Sequence, residues 1–363
     1  MGNKQLSELL SQYKKVGIYG AGIVAYGAYK AVRELYHVRI ECFLVTSGKG
    51  QPERIDGIPV TELQKASDDF SNRLIIVATP EEYHKDIVQN LKKNKYDKYF
   101  LLDSHEEYIL MSNYLKKMQN IRLIEDYQIN GKLDKPDETG IYMAVSHKDK
   151  PLKREYKEAP WIKKIQAGAE LTENRIAEIT DEGVDSLSLQ NSLYCELTAS
   201  YYIWKYSNYH ITGLFHYRRI LNVTEEQLHL LEIKKIDVIL PLPFVCYPNA
   251  SGQYGRYLMS EDIHVMQEVL QEFERDKMPE IEAILQSPYL YNYNMLIARR
   301  EVFHDYCGWL FPLLKEIKDR CEKEEREKLP RYVGRIGEVL TSLYFMLNKQ
   351  KWHIVHAEKI WRI

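Results

Sequence analysis

The segment VGIYGAGIVA, residues 16–25, sets the fold of the first part of the chain. Its apolar beginning predicts a short buried strand, and Gly20 and Gly22 predict a tight turn that leads directly into a helix. Further apolar runs at residues 39–45 and 74–78 predict two more strands. Alternation of strands and helices at this spacing predicts a parallel sheet with right-handed crossovers.

The alternation continues beyond the first sheet, so the whole chain is predicted to be an α/β protein. A length of 363 residues suggests two domains, at about 150 residues for each domain. We predict a Rossmann-like module over residues 1–120, a connector over 121–140 and a larger α/β domain over 141–363. In the larger domain, a helix is predicted over residues 193–206 and a strand over 209–217.

Composition narrows the classes of function. The chain has 50 basic and 52 acidic residues, and this balance argues against a general nucleic-acid-binding protein. No apolar run approaches the roughly 18 residues that span a bilayer, and the chain does not begin with the apolar core of a signal peptide. The 5 cysteines form no C-x-x-C pair, which argues against a disulfide framework or a structural zinc site. We therefore expect a cytoplasmic protein.

The turn formed by Gly20 and Gly22 stands where a nucleotide phosphate meets the positive end of a helix. Ala25 replaces the third glycine of the dinucleotide-binding pattern. The end of the second predicted strand, residues 45–49, has no acidic residue to hold a ribose hydroxyl group. Two interpretations stay open for this module: Gly20 and Gly22 bind a nucleotide, or they only make a tight turn.

The most informative segment of the larger domain is ITGLFHYRR, residues 211–219. Side chains alternate along a strand, so His216 and Arg218 are expected on one face and Arg219 on the other, if the strand persists. Ligands bind at the carboxyl ends of strands in α/β sheets, and a pair of arginines can hold a diphosphate through charge-assisted hydrogen bonds. The alternatives are surface arginines in salt bridges and a histidine of the core.

Several separate motifs follow one another in the second domain, and their order is more specific than any single pattern. They are NSLYCELT at 191–198, WK at 204–205, GLFHYRR at 213–219, YNM at 293–295 and FHDYCGWLF at 303–311. This set resembles an uncharacterised-domain family of bacterial glycosyltransferases that act in capsular and exopolysaccharide synthesis. The resemblance covers residues 141–363 and implies a GT-A-like α/β fold.

The resemblance implies an enzyme that transfers a hexose from a nucleotide sugar, with UDP-galactofuranose as a candidate donor. A glycan or a lipid-linked molecule would be the acceptor, and a lipid-linked acceptor would bring the enzyme into peripheral contact with the inner face of the membrane. The first module carries IDGIPV at residues 55–60. With this sequence it is similar to small modules of sugar-modifying enzymes that bind nucleotide sugars or are vestigial.

The resemblance also assigns site residues. For donor binding, the resemblance and the cationic end of the predicted strand together indicate six residues: His147, Asn191, Glu196, His216, Arg218 and Arg219. Asn294 is expected on the acceptor side. An inverting transfer needs a carboxylate to take the proton from the acceptor hydroxyl, and Glu338 and Asp262 are the candidates. The usual glutamate of the family falls three residues after Glu338, where this chain has Thr341, so the assignment of the base stays open.

The chain contains no Asp-x-Asp pair, the motif with which many nucleotide-sugar transferases hold a divalent metal. Cationic side chains could neutralise the leaving diphosphate in its place, while a metal held by scattered carboxylates stays open as a cofactor. Two other functions also stay open. The glycine turn suggests a nicotinamide-dependent oxidoreductase, and both domains could instead belong to a non-catalytic protein that binds nucleotide sugars.

Overall fold

The computed structural model describes residues 4–66, 73–153 and 155–362. The chain divides into two compact units. The first comprises Met1–Ile121 and Phe244–Asn249, and the second comprises Arg122–Pro243 and Ala250–Ile363. Residues 122–140, predicted as a connector, therefore cluster with the second unit, and a short segment far along the chain clusters with the first.

The described residues form 17 strands and 12 α-helices. The strands are β1 (Lys15–Tyr19), β2 (Arg39–Val45), β3 (Arg54–Ile55), β4 (Ile58–Glu62), β5 (Leu74–Val77), β6 (Tyr99–Leu101), β7 (Thr139–Val145), β8 (Ile162–Gln166), β9 (Ile179–Thr180), β10 (Ile211–His216), β11 (Arg219–Leu221), β12 (Val238–Pro241), β13 (Phe244–Val245), β14 (Tyr289–Leu290), β15 (Leu296–Arg299), β16 (Ile354–Ala357) and β17 (Lys359–Trp361). The helices are α1 (Lys4–Leu10), α2 (Ile23–Tyr36), α3 (His84–Lys93), α4 (Ser104–Gln119), α5 (Asn191–Tyr194), α6 (Leu197–Tyr206), α7 (Glu225–Glu232), α8 (Ala250–Tyr254), α9 (Ser260–Phe273), α10 (Met278–Gln286), α11 (Arg300–Lys323) and α12 (Tyr332–Leu347).

The first unit contains the predicted parallel sheet. Its strand order is β3-β4-β2-β1-β5-β6, and all neighbours are parallel except the β3–β4 pair. The strand order changes direction between β1 and β5, as in doubly wound sheets. All four residues of β5 are buried, which explains why this strand reads as an uninterrupted apolar run in the sequence.

The second unit is built on a mixed sheet with the order β16-β12-β15-β10-β7-β8-β9. Strands β7, β8, β9 and β10 are parallel, and β15 runs antiparallel to both β10 and β12. Gly213 of β10 allows the close approach of β15, because a Cβ atom there would lie 2.1 Å from the Leu296 carbonyl oxygen. The α/β fold class is confirmed for both units.

The helix predicted over residues 193–206 is interrupted. It consists of α5 and α6, separated by Cys195, whose φ of 55° lies in the left-handed region. The side-chain amide of Asn191 donates hydrogen bonds to the Cys195 carbonyl oxygen, at 2.7 Å, and to the Thr198 hydroxyl, at 3.1 Å. These bonds stabilise the break and place Glu196 at the start of α6. In the part of the chain that the structure describes, no helix combines the length and apolar character needed to cross a bilayer.

Candidate functional site

A cavity of about 490 Å³ lies at the carboxyl ends of β7 and β10 in the second unit. The two strands are parallel, and their ladder sets His216 beside Ala144, so that both strand ends open into the same space. The cavity also receives side chains from the turn between α5 and α6. Its polar and charged lining residues are Ser146, Lys148, Asp149, Lys150, Asn191, Ser192, Cys195, Glu196, His216, Tyr217, Arg218, Arg219 and Arg331.

The cationic strand end folds differently from the predicted strand. Strand β10 ends at His216, residues 217 and 218 form a turn, and Arg219 pairs with His216 across the turn as the first residue of β11. The predicted alternation is therefore wrong, because residues that pair directly across a hairpin share a face. His216 and Arg219 lie side by side, with 3.4 Å between His216 Nδ1 and Arg219 Nη1. All four residues of the HYRR segment line the cavity.

Neither Arg218 nor Arg219 forms a salt bridge with a described residue, although Arg218 acts on the pKa of Asp149 and Arg219 on that of Glu338. The Nε atoms of Arg218 and Arg219 are buried and have no hydrogen-bond partner. Among the described residues, neither guanidinium has a carboxylate within 4 Å. The predicted alternative of surface arginines in salt bridges is therefore not what the structure shows. Two partly buried cations that no salt bridge neutralises, in one cavity, favour an anionic ligand.

Glu196 lies at the centre of a short polar network. Its Oε1 atom accepts a hydrogen bond from the Asn294 side-chain amide at 2.8 Å and lies 3.7 Å from His216 Nε2. Burial acts to raise the pKa of Glu196, but the His216 ring and the Asn294 amide outweigh it, and the pKa is lowered. Burial lowers the pKa of His216 despite the neighbouring carboxylate. At neutral pH, Glu196 is therefore ionised and His216 is neutral.

Glu338 lies on α12 and is partly exposed. Burial, together with the negative charge of Glu196, raises the pKa of Glu338 to about 8, while Arg219, Arg331 and Arg335 act to lower it. Two neighbouring carboxyl groups thus differ in protonation at neutral pH, which is a typical arrangement for acid–base chemistry. Thr341, one turn further along α12, is buried and donates to the Asn294 side-chain oxygen at 3.2 Å.

Three predicted residues of the second unit, Glu338, Asp262 and Asn294, are not among the residues that line the cavity, although Glu338 interacts electrostatically with Glu196, Arg219 and Arg331 of the lining. Asp262 is fully buried, and its carboxylate forms an ion pair with Arg326 at 2.6 Å in the interior of the protein. Asn294 is only 1% exposed, and its amide is occupied by Glu196. Asn294 therefore positions Glu196 and does not present its own side chain to an acceptor.

His147 and Asn191 are found near the site. His147 lies in the loop after β7, between cavity residues Ser146 and Lys148, and its Nδ1 atom is buried without a hydrogen-bond partner. Asn191 lines the cavity, although its amide is used to hold the break at Cys195. Sequence reasoning did not identify Asp149, which also lines the cavity and accepts a hydrogen bond from the Ser146 backbone at 2.7 Å.

Arg331 was also missed. It has a φ of 65° just before α12, and its Nε atom lies 2.9 Å from the Cys195 sulfur. No local pattern marks this residue, because it reaches the cavity from a segment more than 100 residues beyond the HYRR motif. Burial raises the pKa of the Cys195 thiol to about 11, so this cysteine is a neutral thiol at physiological pH.

A larger cavity, of about 790 Å³, lies at the opposite, amino-terminal edge of the same sheet. Its charges are extensively paired within the protein: Lys135 with Glu138, Lys205 with Asp185, and Arg299 with Asp237. Ion pairs of this kind leave little unbalanced charge for a ligand. The smaller cavity differs from it in containing arginines that form no salt bridge, and this makes the smaller one the candidate site.

The first unit has its own crevice, of about 390 Å³, at the carboxyl ends of β1, β2 and β5. Gly20 has a φ of 125°, and a Cβ atom there would lie 2.6 Å from the Ala78 carbonyl oxygen, so this position requires glycine. Gly22 caps α2 and has open space around it. Among the described residues, the crevice is lined by no lysine, arginine or histidine.

No group of three or more histidine, cysteine, aspartate or glutamate side chains in the described ranges is arranged to hold a metal ion.

The family model of a domain of unknown function, DUF4422, matches residues 141–350 of this chain. A comparison with curated proteins gave no match. Among solved structures, the chain is similar to the WbbM bifunctional glycosyltransferase in its apo form, with a TM-score of 0.53 and 23% identity. The similarity covers 61% of this chain but only 45% of that one, and at this identity it shows a shared fold.

Proposed function

The chain belongs to the DUF4422 family, and we propose that it is a glycosyltransferase that uses a nucleoside diphosphate sugar as donor. The observation that carries this proposal is a pair of arginines that line the cavity at the carboxyl edge of the sheet, form no salt bridge, and each have a buried Nε atom without a hydrogen-bond partner. A diphosphate supplies the missing counter-charge and accepts bidentate hydrogen bonds from guanidinium groups. The shared fold with a solved glycosyltransferase supports the same class of reaction.

The chemistry follows from where charge develops. When the bond between the sugar C1 atom and the β-phosphate oxygen breaks, negative charge accumulates on the leaving nucleoside diphosphate. Arg218 and Arg219 are already in place to neutralise it, so little reorganisation is needed in the transition state. His147 lies in the loop after β7, and its buried Nδ1 atom has no hydrogen-bond partner. It offers a further contact for the diphosphate.

We propose Glu338 as the base that takes the proton from the acceptor hydroxyl group while the new bond to C1 forms. A pKa of about 8 makes its carboxylate a stronger base than an ordinary glutamate, and a base is most effective when its pKa is near the working pH. Glu196 raises the basicity of Glu338 through its negative charge, and Asn294 holds Glu196 in place.

The finer assignment rests on the family resemblance of the motif set. It favours a hexose donor such as UDP-galactofuranose and a glycan or lipid-linked acceptor in capsular or exopolysaccharide synthesis. The reaction would then take place in the cytoplasm, with peripheral contact at the inner face of the membrane. The first unit would serve as a nucleotide- or nucleotide-sugar-binding module through the turn at Gly20 and Gly22.

The test is incubation of the full chain with a panel of nucleotide sugars, with free nucleoside diphosphate as the readout. We expect slow release of nucleotide from at least one donor, accelerated when a glycan acceptor is added. The Arg218→Ala/Arg219→Ala variant serves as the matched negative control. Saturable binding without turnover for every acceptor would instead favour a non-catalytic binding protein, and absence of both binding and turnover would overturn the proposal.

A further inference from the structure

Strand β17 and the residue after it, residues 359–362, form a segment that we call the strap. The strap pairs antiparallel with β11, setting Trp361 opposite Arg219 and Lys359 opposite Leu221. The Arg362 backbone amide also donates a hydrogen bond to the Arg218 carbonyl oxygen at 2.8 Å. The strap therefore fixes the backbone of both cavity arginines, although it lies beyond the residues that the family model matches.

The Arg219 side chain is held between two aromatic rings. Its guanidinium carbon lies 4.4 Å from the ring centroid of Trp361 and 4.4 Å from that of Tyr293. The two rings are close to perpendicular, with centroids 6.3 Å apart. Both distances are within the range of favourable cation–π contacts. The Lys359 ammonium group lies 4.8 Å from the Tyr293 ring centroid and 4.9 Å from that of Trp361. It therefore adds a second positive charge next to the same rings as Arg219.

Each side of this aromatic clamp is anchored. Tyr293 has a φ of 110°, a conformation that residues other than glycine rarely adopt and that persists only when the surroundings impose it. On the strap, Arg362 is 2% exposed, donates to the Glu158 carboxylate at 2.6 Å and lies 4.4 Å from the Tyr156 ring centroid. The Arg362 contacts hold the strap that carries Trp361, and the backbone conformation of Tyr293 restricts the direction of its ring.

An aromatic clamp has a consequence that a carboxylate partner would not have. A carboxylate would neutralise Arg219 and occupy its N–H groups, whereas ring faces orient the guanidinium without neutralising its charge; Nη1 lies 3.4 Å from His216 Nδ1, and no salt bridge occupies the remaining donors. We propose that Trp361, with Tyr293, positions Arg219 as a preorganised diphosphate-binding group. This inference rests on the proposed function, because it names how that site is organised.

The test is a graded ring series at residue 361, measured by calorimetric binding of inorganic pyrophosphate and of UDP. We expect affinity to fall in the order Trp, Trp361→Tyr, Trp361→Phe and Trp361→Leu, with Trp361→Leu about five- to ten-fold weaker. In an Arg219→Ala background, Trp361→Leu should change affinity by less than about two-fold, because the positioned group is gone. If Trp361→Leu fails to fold, the aromatic variants still give the order.

Trp352→Leu is the matched control. The Trp352 ring also has a cation beside it, with Lys351 Nζ at 4.5 Å from its centroid, but Trp352 does not line the cavity. It should leave both affinities unchanged. Equal affinity across the ring series, or effects of Trp361→Leu and Arg219→Ala that simply add, would overturn the positioning role. If pyrophosphate binds as described but no nucleotide sugar binds or turns over, the proposed function fails while the positioning role stands.

Discussion

Each unit has a crevice at the carboxyl ends of neighbouring parallel strands, yet the two crevices differ in charge. In the first unit, the Tyr19 hydroxyl lies 2.8 Å from that of Thr46 and accepts a hydrogen bond from the Asn90 amide at 3.2 Å. In the second unit, the buried Nε atoms of Arg218 and Arg219 have no hydrogen-bond partner, and neither arginine forms a salt bridge with a described residue. The topology fixes where a ligand can enter, and the side chains decide which chemistry is available.

The two crevices also differ in whether the fold itself requires their characteristic residue, Gly20 in the first and Arg219 in the second. Gly20 is required by its backbone conformation and by the nearby Ala78 carbonyl group, whether or not a nucleotide binds. Arg219 is not required by the fold in this way, because an apolar side chain could pack between Tyr293 and Trp361 at lower electrostatic cost. The second crevice therefore points to a ligand more strongly than the first.

The largest effect is expected at Glu338. Replacing it in Glu338→Gln removes the base but keeps the size of the side chain, so the turnover rate should fall by about 100-fold or more. Donor binding should change little, because the cavity arginines stay in place. Steady-state kinetics and calorimetry on one preparation test both statements. Glu268→Gln, which changes an exposed glutamate on α9, is the control and should match the wild type.

The single arginine variants should have the next largest effect. Loss of one charge-assisted contact costs about 1.5–3 kcal/mol, or roughly ten- to hundred-fold in kcat/KM, for Arg218→Ala or Arg219→Ala. Lysine at either position keeps the charge but loses the planar fork, so it should restore only part of the activity. Arg320→Ala, which removes a partly exposed arginine paired with Glu272 and Glu316 away from the cavity, should leave kcat/KM unchanged. Near-normal rates in both cavity variants would make these arginines structural.

Per pH unit, the pH dependence of kcat/KM should be no larger than the effect of a single arginine substitution, and it has a definite sign. The raised pKa means that Glu338 is protonated below about pH 8 and ionised above it. A base must be ionised, so kcat/KM should rise by roughly ten-fold per pH unit below that value and level off above it. Glu338→Gln should remove the rise. A profile that is flat between pH 6 and 8 in the wild type would argue against this base.

The smallest effect concerns the first unit. Gly20→Ala should lower the free energy of unfolding by about 1–3 kcal/mol, because of its positive φ and the close carbonyl oxygen. Gly22→Ala, where nothing lies within 4 Å of the added Cβ atom, should change it by less than about 0.5 kcal/mol. Chemical denaturation of both variants measures the difference. Equal losses would mean that the turn is not constrained as described.

The sequence predicts the parallel sheet of the first unit and the first strand of the second, because β5 and β7 are short apolar runs spaced from helical segments. It also identifies the cationic strand end, because arginines directly after an apolar strand are visible in one segment. The turn at residues 217–218 was not predictable in the same way, since it contains neither glycine nor proline. The break at Cys195 is hidden for the same reason and depends on the side chain of Asn191.

Local sequence patterns do not predict contacts between segments that are distant in the chain. Trp361 reaches Arg219 only through the pairing of β11 with β17, which are separated by more than 130 residues. Arg331 reaches the cavity from the segment before α12. The inward direction of Asn294 depends on its hydrogen bond to Glu196, nearly 100 residues earlier in the chain. Site reasoning from one sequence therefore finds the strand that carries the charge but not the residues that orient it.

The central claim is that two unpaired arginines bind the diphosphate of a nucleotide sugar. Its most direct test is calorimetric titration of UDP into the wild type and into Arg218→Ala/Arg219→Ala, with a chelator present throughout. We predict saturable binding by the wild type and at least 100-fold weaker binding by the folded double variant, because two charge-assisted contacts are lost. Binding that disappears on chelation in the wild type, or that survives in the double variant, would contradict this account.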